Sequence, residues 1–216
     1  MVSPVTGKDT PGRRRSAARA RQLLADFRRD SILQAAHVVF ARHGYAETTV
    51  DLIAREAGVA KGTLYLYYPS KTALYSAAVI AGLRELAAET SRVLASGQPL
   101  AAVLRAFFET RSRYFEARLN FFRIYAAEAG KLGRAAREIR QEFLRLHETQ
   151  VHLLQQAVAA AAASGAIRAV NARAVALAVF DLSHGLVVRR VRDGHPALAA
   201  DLDDVLDLLW KGLLPP

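Results

Sequence analysis

The sequence contains no cysteine, one methionine and one tryptophan. Without a thiol, the chain cannot form disulfides, thiolate metal sites or a cysteine nucleophile. It also lacks long apolar runs: the longest, an alanine-rich stretch near Ala160, is far shorter than the ~20 residues of a membrane span. No apolar segment of signal-peptide type follows the basic N-terminus. We therefore expect a cytoplasmic protein without a membrane partner.

Several enzyme motifs are missing as well, since the chain has no P-loop, dinucleotide fingerprint or G-x-S-x-G sequence. The segment His147–His152 resembles a zinc-protease motif, but its two histidines are five positions apart. On a helix this spacing separates them by about 140°, so they cannot share one metal ion. We expect no catalysis, no metal and no cofactor.

Basic charge is concentrated near the N-terminus. The formal net charge is +10, and residues 1–71 hold 12 Lys and Arg against 6 Asp and Glu. This excess indicates a polyanionic partner, although an arginine-rich composition alone would also make the chain basic. Residues 1–25 combine arginines with prolines and glycines, and we expect a basic, largely disordered arm there.

The rest of the chain is rich in Ala, Leu, Arg and Glu, and its glycines and prolines fall between periodic segments. This pattern predicts an all-α fold of about nine helices. Thr48, followed three residues later by Asp51, resembles a capping box and predicts a helix start at Thr48. The predicted helices cover about 30–43, 48–57, 61–67, 70–96, 99–117, 119–129, 134–164, 171–192 and 197–213.

Two short helices joined by a glycine turn indicate a helix-turn-helix motif. On the second, helical spacing places Leu64 and Tyr68 toward the core, and Thr63 and Leu66 on the opposite arc. That arc is too polar for a core but suits a DNA major groove, where methyl groups meet thymine and phenols reach phosphate. The alternative is packing against a neighbour with aromatic residues at the rim. The predicted DNA-binding residues are Thr49, Lys61, Gly62, Thr63, Tyr65, Leu66, Tyr67 and Lys71.

Four segments resemble the TetR/AcrR family of transcriptional regulators, namely Phe40–Tyr45, Thr48–Ala54, Gly58–Tyr65 and Tyr68–Lys71. The match covers roughly residues 28–80, and Tyr68 stands where the family usually has phenylalanine. The resemblance implies a helix-turn-helix DNA-binding domain at residues 26–72 and a ligand-binding and dimerisation bundle at residues 73–216. It also implies a homodimeric repressor that binds a palindromic operator in double-stranded DNA and is released by a small apolar or aromatic effector.

Aromatic residues cluster between positions 100 and 130, and most must belong to the core of a helical bundle. Because the family binds its effector inside this bundle, the resemblance implies that some of them line a cavity with a few polar groups. For each polar candidate, the alternative is a surface position or a satisfied core position. The predicted pocket residues are Phe107, Phe108, Arg111, Tyr114, Phe122, Tyr125, His147, Asp181 and His184.

Apolar stripes on the last two helices predict a surface that pairs with a second copy in a two-fold four-helix bundle. The alternative is packing within one chain. The predicted interface residues are Val179, Leu182, Leu186, Leu202, Val205, Leu206, Leu209 and Trp210. The alternative function is a nucleoid-associated protein that binds DNA without sequence preference and without an effector.

Overall fold

The computed structural model describes residues 11–119, 122, 133–193 and 199–214, and within these ranges the chain forms helices, turns and links but no strand. The all-α fold predicted from the sequence is confirmed. The predicted helix at 119–129 lies mostly outside the described residues. The helices of the described ranges are α1 Pro11–Glu47, α2 Val50–Glu56, α3 Lys61–Tyr67, α4 Lys71–Leu94, α5 Leu100–Ala117, α6 Arg134–Ala163, α7 Ala172–Asp193 and α8 Ala199–Leu213.

Helix α1 begins earlier than the predicted start at Asp30. Residues 13–29 are mostly Ala, Leu, Gln and Arg, which favour helix, and residues 11–25 form the first turns of α1. The rest of the predicted arm, residues 1–10, lies outside the described residues. At Gly44 the backbone leaves helical geometry, with φ 78° and ψ 173°. A residue with a Cβ adopts such a φ only with strain, which is why the helix stop predicted at this glycine is found there.

Helices α1, α2 and α3 form the head of the molecule around a shared apolar core. Ile32 and Phe40 of α1, Ile53 of α2 and Leu64 of α3 are all fully buried. Burial of each such side chain stabilises the fold by roughly 1.5–3 kcal/mol. Helices of seven residues are too short to be stable in isolation, so α2 and α3 depend on this core.

Two adjacent threonines, Thr48 and Thr49, close the end of α1 and the start of α2, respectively. The hydroxyl of Thr49 accepts a hydrogen bond from the Leu52 N–H at 3.2 Å and is the N-cap of α2. Thr48 Oγ1 instead donates to the Gly44 carbonyl at 2.6 Å. The predicted helix start at Thr48 is therefore wrong by one residue, because the buried Thr48 closes the end of α1.

Helix α4 joins the head to the body, which consists of α5 to α8. It packs against α1 in the head and against α5 and α6 in the body, while α8 packs on α5. The body core includes Phe107 and Phe108 of α5, Leu154 of α6 and Val179 of α7, none of which is exposed. None of the described helices combines the length and hydropathy needed to span a lipid bilayer.

A group of polar side chains lies where α1, α4 and α5 meet, and we call it the junction. The Tyr114 hydroxyl on α5 lies 2.8 Å from the Gly82 carbonyl oxygen and 2.9 Å from a Glu85 carboxylate oxygen. Arg118 donates to both oxygens of the same carboxylate, at 3.0 and 3.2 Å. A Cβ at position 82 would lie 3.2 Å from the Tyr114 hydroxyl and 3.4 Å from His37 Cε1. Glycine therefore lets the three helices approach closely.

His37 brings α1 into this junction as a neutral side chain. Burial, reinforced by the nearby Arg118 cation, lowers the pKa of His37 from 6.5 to about 4, and the Glu85 carboxylate only partly opposes the shift. Protonation of His37 would place an additional positive charge in a site that is mostly closed to water.

We expect the free energy of unfolding to fall as the pH is lowered from 7 to 4. Below about 6.5 the unfolded chain binds a proton at His37 that the folded chain does not bind until about pH 4. The free energy of unfolding therefore falls by at most ~3 kcal/mol as the pH is lowered through this window. Urea titrations between pH 4 and 7 should show a shallower decline for His37→Gln. A control, His152→Gln on an exposed site of α6, should keep the wild-type slope, and equal slopes in all three proteins would contradict the prediction.

Candidate DNA-binding surface and interior cavity

The two sides of α3 differ in exposure. Leu64 is fully buried, and Tyr68, directly after the helix, retains 7 % of its exposure. On the opposite side, Leu66 is 84 % exposed and Tyr65 44 % exposed. Because positions 64 and 68 are about one turn apart, one apolar face anchors the helix and leaves the other outside. Leu66 and Tyr65 thus do not pack inside the described part of the subunit.

The exposed side of α3 combines methyl groups, hydroxyls and an open glycine. We define the α3 outer face as Gly62, Thr63, Tyr65, Leu66 and Tyr67. Thr63 and Tyr67 are half-buried, and among the described residues beyond its own helical turn no atom lies within 4 Å of a Cβ added at Gly62. A partner's backbone can therefore approach closely at Gly62, with apolar and hydrogen-bonding groups beside it.

Lys61, at the start of α3, is paired with an acid across the turn. Its ammonium donates to the Asp51 carboxylate at 2.7 Å, and both side chains are more than half exposed. The hydrogen bond from Lys61 to Asp51 raises the pKa of Lys61. Exposed ion pairs are weak, so Lys61 can exchange Asp51 for a phosphate group.

Lys71 has a different environment from the one predicted. Its ammonium donates to the carbonyl oxygens of Tyr45 at 2.8 Å, Ala46 at 3.2 Å and Thr48 at 3.0 Å. It also lies 4.5 Å from the centroid of the Tyr45 ring. An ammonium has three donors, and all three are used to close the end of α1. This geometry corrects the predicted phosphate contact, because Lys71 fixes the start of α4 against α1.

The basic N-terminal part of α1 lies close to α3. The Arg29 guanidinium carbon is 5.9 Å from the centroid of the Tyr67 ring. Arg28 and Arg29 are exposed, as are three apolar side chains on the same stretch, Leu23, Leu24 and Phe27. One of the predicted basic residues, Arg29, thus lies beside Tyr67 of the α3 outer face.

The body contains a small cavity of about 30 Å³ that is partly open to solvent. It lies among α4, α5, α6 and α7, so it touches the helix that leads to the head. Its lining residues are Leu83, Leu86, Ala87, Thr90, Arg111, Phe143, Leu146, His147, Gln150 and Phe180.

Two of the predicted pocket residues, Arg111 and His147, line this cavity. Phe107 stacks its ring near the Arg111 guanidinium, 5.5 Å from carbon to centroid. His184 lies just behind the lining, with its ring centroid 5.1 Å from that of Phe143. Burial, and then the Arg111 cation, lowers the pKa of His184.

The other predicted pocket residues lie elsewhere. Tyr114 and Phe122 pack with Phe115 at the junction side of α5, and Phe108 is buried core. Asp181 is 71 % exposed at its side chain and reaches only the rim, 3.9 Å from His147. Tyr125 lies outside the described residues.

Sequence reasoning missed Gln150 and Phe180. Gln150 is 2 % exposed, and its side-chain amide donates to the Ala87 carbonyl at 3.1 Å and to Ser91 Oγ at 2.7 Å. The available signal was its spacing, since it follows His147 by one helical turn on α6. Phe180 likewise precedes His184 by one turn on α7.

The predicted dimer residues separate into two groups. Val179, Leu202 and Leu206 are 0, 6 and 8 % exposed and belong to the core of their own chain. The prediction is corrected for these three, because the apolar stripes of α7 and α8 turn inward. The remaining predicted residues are half-buried, namely Leu182, Leu186, Val205, Leu209 and Trp210.

The outward side of these two helices carries residues that the sequence did not single out. On α7, Ala178, Gly185 and Val188 are exposed. On α8, Leu208 is 75 % exposed. They were missed because apolar periodicity identifies the core-facing side first.

A head with an outward-facing α3, carried by a larger helical body, defines a helix-turn-helix DNA-binding protein. Residues 32–78 match the family model described as bacterial regulatory proteins, tetR family. The transcriptional activator FasR of Mycolicibacterium smegmatis is 36 % identical over 98 residues, covering 42 % of this chain and 43 % of FasR. The transcriptional repressor KstR2 of Rhodococcus jostii is 31 % identical over 105 residues, covering 49 % of this chain and 52 % of KstR2. The chain thus spans about half the length of the curated relatives it matches.

Similar solved structures extend over most of the chain. The TetR family regulator PfmR of Thermus thermophilus is 25 % identical with a TM-score of 0.62, covering 83 % of this chain and 97 % of PfmR. FadR of Bacillus subtilis, solved with stearoyl-CoA, is 23 % identical with a TM-score of 0.61, covering 84 % and 97 %. Residues 32–78 thus match a TetR-family DNA-binding region, and the fold of the chain is that of TetR-family transcriptional regulators.

Replacing Lys71 by Met should destabilise the head. The change leaves three carbonyls at the end of α1 without their charged donor, so we expect a loss of roughly 1–3 kcal/mol in the free energy of unfolding, measured in urea. The matched control is Lys61→Met, which removes only an exposed ion pair and should change stability little. Equal stability of the two variants would contradict the structural role of Lys71.

Proposed function

We propose that the protein is a homodimeric repressor that binds a palindromic operator through the α3 outer face and leaves it when a small apolar effector binds. The observation that carries this proposal is the orientation of α3, with Leu64 buried and Leu66 84 % exposed. In a major groove, the methyl groups of Thr63 and Leu66 can contact thymine methyls. The phenols of Tyr65 and Tyr67 can donate to phosphate oxygens.

Dimerisation supplies the specificity that one short helix lacks. Two copies of α3 held about 34 Å apart by a two-fold axis meet successive major grooves and read a palindrome. The proposed interface is the outward side of α7 with the half-buried end of α8. On α7 the small residues Ala178 and Gly185 would allow two helices to pack closely.

The relatives of this chain are named for both directions of regulation. KstR2 is named a repressor and FasR an activator. We propose repression because occupation of an operator by the dimer is sufficient to block transcription. FadR, a neighbour in fold, was solved with stearoyl-CoA, which supports an effector with a large apolar part.

Helix α4 is the proposed route between effector and DNA. Leu83, Leu86, Ala87 and Thr90 on α4 line the cavity, and Lys71 at its start holds the end of α1. An effector changes the separation of the two heads only if it binds one arrangement of α4 more tightly than the other.

The nucleoid-associated alternative differs in DNA specificity. A palindromic operator would be bound at least ~10³-fold more tightly than random DNA at physiological salt. A non-specific protein would show a ratio near one and a strong salt dependence.

Substitutions on the α3 outer face should weaken operator binding without unfolding the protein. The operator is first selected from a pool of random duplexes, and Leu66→Ala is then expected to raise its Kd roughly 5- to 30-fold by removing buried methyl contacts. Thr63→Ala and Tyr65→Ala should also weaken binding. The control is Leu144→Ala, since Leu144 is 52 % exposed on α6, far from α3 in sequence. Unchanged affinity in all three α3 variants would contradict the assignment of this face.

A charge on the outward side of α7 should separate the dimer. A Cβ added at Gly185 has no atom of another described segment within 4 Å, and Glu favours helix more than Gly does. Gly185→Glu should therefore fold and sediment as a monomer in analytical ultracentrifugation. Ala159→Glu, at an exposed site of α6, should remain dimeric. A monomeric wild type, or a dimeric Gly185→Glu protein, would contradict the proposed interface.

A further inference from the structure

Arg111 is a buried cation without a counter-ion among the described residues. It is 5 % exposed, and its Nε has no hydrogen-bond partner in the part of the chain that the structure describes. The groups that approach its charge are aromatic rings, with the guanidinium carbon 4.7 Å from the Phe180 centroid and 5.5 Å from the Phe107 centroid. Burial lowers the pKa of Arg111 to about 10, so the side chain remains protonated at neutral pH.

Such an arginine is unfavourable for stability alone. Removing a charge from water without a partner is strongly unfavourable, and contact with aromatic rings offsets only part of the loss. An aliphatic side chain of similar length would fill the same space without this cost. The charge is therefore explained better by a ligand than by the fold.

The side chains around Arg111 combine polar groups with an apolar wall. Arg111 lines the 30 Å³ cavity together with Gln150, which is 2 % exposed and whose Oε1 has no partner. Leu83, Leu86 and Phe143 supply the apolar remainder. The cavity thus places the uncompensated Arg111 cation beside a hydrocarbon wall, while the Gln150 amide already donates to Ala87 and Ser91 and adds no donor for an anion.

We propose that this cavity receives the carboxylate of an effector whose body is apolar, and that Arg111 pairs with that carboxylate. The assignment rests on the proposed effector-binding function and specifies its ligand class. A water molecule could satisfy hydrogen bonds here, but it would not neutralise the guanidinium. A carboxylate matches the planar donor fork of arginine in a bidentate pair, and the apolar wall suits a hydrocarbon body.

The position of the cavity connects binding of the carboxylate to helix α4. The cavity as it stands has room for a small group only, so an attached hydrocarbon body requires the surrounding helices to separate. Gln150 is hydrogen-bonded to Ala87 and Ser91 of α4. Because Leu83, Leu86, Ala87 and Thr90 of α4 line the same cavity, a carboxylate paired with Arg111 would lie against the helix that carries the junction and the Lys71 contact.

The test measures binding by calorimetry, without DNA, of hexanoate, octanoate, decanoate, benzoate and phenylacetate, each beside its neutral primary amide. At least one carboxylate should bind at least ~30-fold more tightly than its amide, and Arg111→Met should abolish that preference. The matched control is Arg113→Met, an exposed arginine on the same helix, which should retain it. No carboxylate preference in the wild type, or a preference that survives Arg111→Met, would overturn the proposal.

Thermal unfolding of the ligand-free variants provides a second arm. Arg111→Met should raise the Tm by roughly 2–4 °C, because an uncompensated charge is removed from the interior. A lower Tm would show that another part of the chain neutralises Arg111. If chloride or sulfate stabilises the wild type as much as the carboxylates do, and this effect is lost in Arg111→Met, the cavity is a general anion site. Either result overturns the proposal. Operator binding by the ligand-free proteins is measured separately, so failure of DNA recognition is distinguished from failure of the carboxylate assignment.

Discussion

The burial of Leu64 in the head core is the constraint on which the molecule depends. Helix α3 has seven residues and no side-chain cap at its start, so its position comes from packing on α1 and α2. Tyr68, directly after the helix, is also buried and packs α3 on the same core. Its buried hydroxyl has no partner among the described residues, and burial raises the pKa of Tyr68 to about 12. Phenylalanine, which the family usually has there, would avoid that cost. With these two side chains inward, helical geometry leaves Leu66 and Tyr65 outside.

Helix α4 connects the head to the rest of the chain. Lys71 joins the first residue of α4 to the end of α1, and the junction around Glu85 and Tyr114 joins α4 to α5. Further along α4, Ala87 and Thr90 border the cavity. Helix α4 therefore makes all three of these contacts. The polar contacts at both ends have specific geometry, which favours discrete arrangements over gradual deformation.

Local patterns predicted the helices, the Gly44 stop and the inward and outward sides of α3, because these depend on neighbours within one or two turns. Contacts between distant segments were not predictable in this way. Lys71 looks like a surface cation in sequence, and only the fold places the end of α1 within its reach. Likewise, apolar periodicity on α7 and α8 could not tell a subunit core from a dimer interface, so Val179 and Leu202 were assigned to the wrong one. The cavity required four helices to converge, which explains why Arg111 was found and Gln150 was not.

The most direct test of the central claim is photo-crosslinking of the wild-type protein to a selected operator in which thymines are replaced by 5-iodouracil, followed by tryptic mass spectrometry. Cleavage after Lys61 and Lys71 releases residues 62–71, which include Tyr65 and Tyr67. If the outer face of α3 enters the major groove, the crosslinked nucleotide should be found on this peptide. Crosslinks confined to other peptides, with this one unmodified, would contradict the claim that α3 reads the DNA.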